Sequence, residues 1–493
     1  MRHILPDQML STLSGLLAEQ TGLNFPEERW SDLERGMDGA ARESGETDVA
    51  AYVRRVLSAP LTHQQTEILA SHLTVGETYF FRDSKSFEAL EQHVLPQLIQ
   101  SRREAGRRLR IWCAGCCTGE EPYSIAMLLD RLLPEHEQWH ITLLATDINP
   151  HFLRKAAEGI YGEWSFRDAP AWLKQRYFNS GRQGRFEILP RIKKRVTFSY
   201  LNLADDVYPS LSNNTNAMDL ILCRNVLMYL TAPQAAKIAD NLHRALVDDG
   251  WLLPSAVEAS NTLFAKFAPV NFSGAAFYRK AAEEVSQAVR TDYAEPSFAA
   301  AFPAPWEMPM NAGETPSFIP LPEIPHPELP IQPVNGAATP ADAADTLCAT
   351  ARLYANQGKL AEAAGWCEQA IAADKLYPQS HYLLATIRQE LGQAEAAEQS
   401  LKRALYLDPD FVLAYFALGN LRLSQGRQEE ARRYFGNALA LLRQHPSNET
   451  LPEADGLTTG RLHEIIQSVV DSLPSAAAMR SQKGVIHAPR NSR

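Results

Sequence analysis

Six cysteines in 493 residues are too few and too unevenly placed for a disulfide scaffold, and they point to a reduced, cytoplasmic protein. Long apolar runs are missing as well. The run Leu220-Ile221-Leu222-Cys223 is broken at once by Arg224 and Asn225, so no membrane insertion is expected. The opening residues, MRHILPDQML, lack a basic stretch followed by an apolar core, and no secretory signal is read there. Basic charge is not in excess: 48 Lys and Arg stand against 58 Asp and Glu, a formal charge of −10. That argues against a general nucleic-acid binder, which needs clustered cations to neutralise phosphates. What is present is the balance of a globular chain, 45% apolar and 22% charged, with length for two to four domains.

Patterning divides the chain. Residues 1–72 carry helical apolar spacing, with Leu10, Leu13, Leu16 and Leu17 on one face, and predict an all-α N-terminal domain. Residues 73–282 alternate apolar strands, glycine turns and helices. Candidate strands are 109–113, 141–145, 196–198, 219–222 and 251–253, which predicts an α/β domain, Rossmann-like, with a mostly parallel sheet. Residues 283–340 form a Pro-rich linker, expected to be extended and disordered, because 12 of the 31 prolines fall between 296 and 340. Beyond it a 34-residue period appears: Gly358, Gly392 and Gly426; Ala363, Ala397 and Ala431; Ala370, Ala404 and Ala438. Small residues at these offsets resemble tetratricopeptide repeats, whose paired helices cross closely. Three repeats are read over 341–445, a capping helix region over 446–475 and a basic, disordered tail over 476–493.

The segment Trp112-Cys-Ala-Gly115-Cys-Cys-Thr-Gly119-Glu120-Glu121-Pro-Tyr123 follows a strand and opens a helix. Its glycines let backbone approach a ligand, and the helix start presents free N–H groups. No Lys follows and the G-x-G-x-x-G order is missing, so it is neither a phosphate loop nor a dinucleotide fingerprint. Two carboxylates, Glu120 and Glu121, would repel a phosphate and suit a cation such as a sulfonium or amino group. Asp147, ending the next strand, stands where nucleotide-binding folds hold a ribose diol; the alternative is a helix N-cap before Pro150. Cys116 and Cys117 lack a downstream partner pair, so no metal site is expected, and Cys113 reads as a small core residue.

Taken in order, these segments resemble a known family. Thr74-Val-Gly-Glu-Thr78-Tyr-Phe80-Phe81-Arg82-Asp83, the Cys-Ala-Gly-Cys-Cys-Thr-Gly turn, Ala-Thr-Asp147-Ile-Asn, Leu201-Asn202-Leu203 and Asp219-Leu-Ile-Leu-Cys223-Arg224-Asn225-Val226-Leu-Met-Tyr229 are similar to the successive motifs of CheR chemoreceptor methyltransferases, over roughly residues 5 to 280. The appended repeats resemble the subfamily with tetratricopeptide extensions found in Wsp-type pathways. The resemblance implies transfer of a methyl group from S-adenosyl-L-methionine to glutamates on the cytoplasmic helical bundle of a methyl-accepting chemoreceptor. The product would be S-adenosyl-L-homocysteine, and recruitment to membrane receptor clusters is implied too. Gly76, Thr78, Arg82, Gly115, Glu120, Glu121, Asp147, Asn202, Leu203, Arg224 and Asn225 are implied at the cofactor, with Arg82 and Tyr229 as the catalytic pair. Gly76 departs from members that have Asn there, so a side-chain contact is lost.

A glutamate has a reference pKa near ~4.3 and is already the nucleophile at neutral pH; no general base is needed, and Arg82 is read as a positioner of that carboxylate. For the receptor, Arg35 and Arg42 on one helix face, or Arg54 and Arg55, are candidate contacts. The short basic stretch 181–195 stands where some relatives insert a β-subdomain that grips a receptor tail, and tail binding is not expected here. In the repeats, Tyr382, Thr386, Phe416 and Asn420 are read on the concave side, either binding an unknown protein or peptide or packing against the terminal helix. Two rival readings are a methyltransferase acting on nucleic acid or a small molecule, and a scaffold whose methyltransferase domain only binds ligand. Arg224-Asn225-Val226-Leu227, standing where an Asn/Asp-Pro-Pro-Tyr/Phe motif would be, disfavours the first.

Overall fold

The computed structural model describes residues 5–281 and 340–472, apart from 105, 136, 137, 171, 273, 448 and 452–457. The Pro-rich segment lies outside the described residues except for Pro340, which opens a helix, and so does the tail 476–493.

Four helices, α1 (Asp7–Gln20), α2 (Trp30–Glu43), α3 (Val49–Val56) and α4 (His63–Leu73), form the N-terminal unit. Leu10, Leu13 and Leu17 recur on one side of α1 and are fully buried in a cluster with Leu33, Met37 and Val53. Each such leucine contributes about 1.5–3 kcal/mol of burial free energy. Asp48 caps α3 by accepting from the N–H groups of Ala50 and Ala51, and Thr62 and Gln65 cap α4 reciprocally.

Helices α5 (Ser84–Ala89) and α6 (Leu95–Arg103) lead into β1 (Arg108–Ala114), α7 (Glu120–Leu132), β2 (His140–Asp147) and α8 (Pro150–Glu158). Three short strands, β3 (Ile160–Tyr161), β4 (Phe178–Ser180) and β5 (Phe186–Ile188), form a separate small sheet, with α9 (Trp172–Tyr177) and α10 (Pro190–Lys193) beside them in sequence. Then follow β6 (Thr197–Tyr200), β7 (Met218–Cys223), α11 (Ala232–Ala245), β8 (Leu246–Pro254), β9 (Phe267–Phe272) and β10 (Ala275–Lys280). The main sheet has the order β6-β2-β1-β7-β8-β10-β9. Its first five strands are parallel, and β10 runs antiparallel to both neighbours. Strand β7 is buried along its length, as a strand covered on both faces must be. The chain runs outward from β1 through β2 to β6 and then returns to β7. At such a reversal the carboxyl ends of the strands leave a crevice.

The five strands read from sequence are present, while β9, β10 and the small sheet are additions. Strands β3 to β5 are two or three residues long, too short for alternation to register. The basic stretch 181–195 turns between β4 and β5 and continues through β5 into α10.

The repeats form three helical hairpins, α12 (Pro340–Asn356) with α13 (Leu360–Ala373), α14 (Pro378–Glu390) with α15 (Ala394–Leu407), and α16 (Val412–Ser424) with α17 (Gln428–Leu442). A last helix, α18 (Thr459–Ser472), packs on α17. The 34-residue period has a steric cause: a Cβ on Gly419 would sit 2.3 Å from the Phe435 ring of the paired helix. Ala351 and Ala385 hold the same register, fully buried. No described helix is long and apolar enough to cross a membrane.

Candidate active site

The crevice at the carboxyl ends of β1, β2 and β7 is a cleft partly open to solvent. The turn after β1 shapes it. Gly115 adopts φ +81°, and a Cβ there would lie 2.3 Å from the Val226 side chain, so the turn and the end of β7 approach only because residue 115 is glycine. The N–H groups of Gly115 and Cys116 both donate to the Thr146 carbonyl, at 2.8 and 2.9 Å, tying the turn to β2.

Asp147 closes β2 with its carboxylate in the cleft wall. It accepts from the N–H groups of Cys117 and Asn149, each at 2.8 Å, and burial pushes its pKa up to about 6 against those bonds. The helix cap is a different residue: Asn149 accepts from the N–H groups of His151 and Phe152. Asp147 is therefore left to face the cleft, with lone pairs not used by the backbone.

The two glutamates at the start of α7 diverge. Glu121 lines the cleft and pairs with Arg224 at 3.1 Å, while burial holds its carboxyl above the ordinary range. Glu120 is turned away from the cleft: its carboxylate accepts from Thr118 Oγ1 at 2.6 Å and Ser165 Oγ at 2.9 Å. The sequence reading that put both at the cofactor is corrected to Glu121 alone, because consecutive helical residues point about 100° apart. Gly76 is also absent from the lining. The space a side chain would take there belongs to Phe152, whose ring would lie 2.8 Å from a Cβ and which itself lines the cleft.

Thr78, Arg82, Gly115, Asp147, Asn202, Leu203, Arg224, Asn225 and Tyr229 all line this one cleft. Arg82 Nη1 donates to the Glu77 carbonyl at 2.5 Å. The carboxylates on either side of it have other partners: Glu77 pairs with Arg167, and Asp83 with Arg224. Arg224 also donates to the Arg82 carbonyl at 2.9 Å, so it ties the end of β7 to the 74–83 loop. Asn202 spends its side chain on structure, donating to Gln20 O at 3.1 Å and Asp205 Oδ1 at 2.9 Å.

Sequence reasoning missed one wall. Thr21, Leu23, Asn24, Phe25 and Arg29 of the N-terminal unit line the cleft, and Asn24 N–H donates to the Tyr229 carbonyl at 2.7 Å. The Arg29 guanidinium lies 4.8 Å from the Phe25 ring centroid and 5.6 Å from that of Tyr229. No motif marks these residues, because the contact joins segments about 200 positions apart. Glu258, which no motif marks either, was missed as well. Its buried carboxylate accepts from the N–H groups of Asn225 at 2.6 Å, Val226 at 2.7 Å and Met228 at 3.2 Å, and so shapes the wall from behind.

The thiols nearby are not poised for chemistry. Cys113, Cys116 and Cys223 are buried, which drives their pKa values well up, and Cys117 is pushed up to about 12. Among the described residues no group of His, Cys, Asp and Glu is arranged to hold a metal ion.

The donor set fits a nucleoside bearing positive charge. A buried carboxylate with spare lone pairs suits vicinal hydroxyls, apolar walls from Phe152, Leu203 and Val226 suit a planar base, and Glu121 suits a cationic end. The comparisons agree with that chemistry. Residues 76–272 match the family described as CheR methyltransferase, SAM binding domain. Residues 378–411 and 400–433 match tetratricopeptide repeats. The chain is 32% identical over 247 residues to a chemotaxis protein methyltransferase of Borreliella burgdorferi, covering 50% of this chain and 85% of that protein. It is 37% identical over 221 residues to chemotaxis protein methyltransferase 1 of Pseudomonas aeruginosa, covering 43% and 77%. With a probable biofilm formation methyltransferase, WspC, of the same organism it shares 29% identity over 426 residues, covering 85% and 95%. The chain belongs to the CheR family of S-adenosylmethionine-dependent methyltransferases, extended by tetratricopeptide repeats.

Proposed function

We propose that the protein esterifies glutamate side chains on the cytoplasmic helical bundle of a methyl-accepting chemoreceptor. The observation that carries this reading is the joining in one cleft of Asp147, Glu121, Arg82 and Tyr229.

Bound S-adenosylmethionine supplies a methyl group on a cationic sulfonium, a good leaving group. Asp147 holds the ribose hydroxyls, and Glu121, fixed by Arg224, faces the methionine end. Thr78, Asn202, Leu203 and Asn225 line the remainder. Arg82 orients the target carboxylate, whose oxygen forms the new bond to the methyl carbon as the carbon–sulfur electron pair returns to sulfur. Tyr229 and Arg29 wall the same cleft. No proton is moved, so the protein's part is alignment and exclusion of water, which together account for roughly 7–11 kcal/mol of barrier. Closure by the N-terminal unit serves both.

Arg35, Arg42, Arg54 and Arg55 are the proposed receptor contacts. Each is paired with a carboxylate of its own unit, Asp32, Asp38, Asp48 and Glu46 respectively. Exposed pairs of this kind contribute only about 0–1 kcal/mol and exchange readily for an acidic partner. The repeats are proposed to dock protein. Phe416 packs against Phe435 and Asn420 is exposed, while Tyr382 packs on Phe411.

The test is transfer of radiolabelled methyl groups to receptor-containing membranes, with base-labile release of methanol. Label that resists base, or that lands on nucleic acid, would overturn the ester reading. An absence of transfer with intact nucleoside binding would favour a scaffold.

A further inference from the structure

The concave side of the repeat array already has an occupant. Arg352 and Asn356 of α12, with Tyr382, Leu383 and Thr386 of α14, face Pro209, Leu211 and Ser212, which belong to the methyltransferase domain. Leu211 packs on the apolar core of the first two repeats. Beside it Asn216 Nδ2 donates to the Ala355 carbonyl at 3.3 Å. Glu390, at the end of α14, accepts from Arg110 Nη1 at 2.9 and 2.8 Å and also pairs with Arg108. Arg110 is only 2% exposed and is held in place by the carbonyls of Asn214 and Asn216. The turns of the first two hairpins complete the seat. A Cβ on Gly358 would lie 3.3 Å from Ala217, and one on Gly392 would lie 2.9 Å from His140.

The connector seated against these helices, residues 207–217, runs between two parts of the cleft. Upstream are Asn202 and Leu203, and Tyr208 Oη donates to the Leu203 carbonyl at 3.0 Å while its ring meets Trp112 of β1 at 5.5 Å. Downstream the chain enters β7, which is followed directly by Arg224 and Asn225. We infer that the groove of the first two repeats is an intramolecular binding site for connector 207–217, and that this clasp, at the amino ends of the central strands, steadies the cofactor cleft at their carboxyl ends. A buried, multiply hydrogen-bonded ion pair across the contact is what makes one seating specific, because either charge left alone would be strongly destabilising. An outside ligand of this half of the groove has to displace the connector, and by linkage it weakens cofactor binding as cofactor binding weakens it.

The test uses the full chain carrying Glu390→Ala or Leu211→Ser, with Glu395→Ala on the exposed side of α15 as control. Release is read by hydrogen exchange over 207–217 and by the radius of gyration in solution scattering. Coupling is read by calorimetry with S-adenosylhomocysteine. The clasp predicts exchange over the connector faster by about tenfold or more, as for a segment that opens locally. It also predicts a larger radius and affinity weakened by about fivefold or more. If Glu390→Ala fails to fold, Glu390→Gln makes the same test at nearly constant shape. Unchanged exchange and radius would overturn the intramolecular site. Release with unchanged affinity would overturn the coupling. A connector already exchanging freely in the unaltered chain, with a co-purifying peptide or a second copy on the groove, would give the groove to that occupant. The affinity arm rests on the proposed cofactor cleft. Should the unaltered chain bind no nucleoside, that reading falls while the exchange arm still judges the clasp.

Discussion

At the scale of single residues, Asp147 carries the proposed hold on the ribose. Its folded pKa of about 6 lies above the ordinary value of 3.8, so ionising it costs the fold stability. That cost is absent below the lower value, grows between the two, and is complete above the upper. Hydroxyl donors favour the carboxylate, so S-adenosylhomocysteine should release protons on binding near pH 6, release none at pH 8, and bind more weakly as the pH falls. Calorimetry in buffers of different ionisation enthalpy reads the proton count directly. Asp147→Asn should remove this pH dependence and cost about 1.5–3 kcal/mol, roughly a 10- to 100-fold rise in Kd. Arg82→Lys should lower kcat by about tenfold or more while leaving nucleoside affinity near normal, since an ammonium cannot present the planar fork; steady-state kinetics at saturating receptor decide it. These two positions were legible because each sits in a short motif whose spacing survives without structure. That Glu121 faces the cleft while Glu120 is buried away from it was not, because both share the motif and only the helix direction separates them.

At the scale of elements, the wall formed by Asn225 to Tyr229 depends on a residue about thirty positions later. Glu258→Ala should strip acceptors from several buried N–H groups and lower unfolding free energy by about 3 kcal/mol, measured by chemical denaturation. Glu258→Gln should rescue little, since its amide NH₂ would face donors; full rescue would sink the argument. Strands with continuous apolar runs and helices with clear faces could be read from sequence. The hairpin β9–β10 and the small sheet could not, because their alternation is short and their pairing is decided by neighbours distant in the chain.

At the scale of the whole molecule, the cleft is closed by a unit that sequence reading had assigned to receptor contact alone. Gly22, at φ +76°, lets the chain pass Ala204 and Leu230, which a Cβ would meet at 3.2 Å. Gly22→Val should lift this cover, costing about 1–3 kcal/mol of stability, and raise KM for the methyl donor more than KM for the receptor. Equal changes in both would mean that the cover does not touch the nucleoside. The order of domains was readable from composition, but their seating was not, because interfaces are written in single residues scattered through otherwise ordinary segments. The repeats make the point. Asn356, Glu390 and Ser424 stand 34 residues apart at one place in the motif, yet only Glu390 meets a buried arginine, and a Cβ on Gly426 would touch nothing where those on Gly358 and Gly392 meet the sheet. The copies are thus not interchangeable. Exchanging the second and third by recombination would leave a sound superhelix that no longer recognises its own host, so drift toward a consensus is constrained in one copy and open in another.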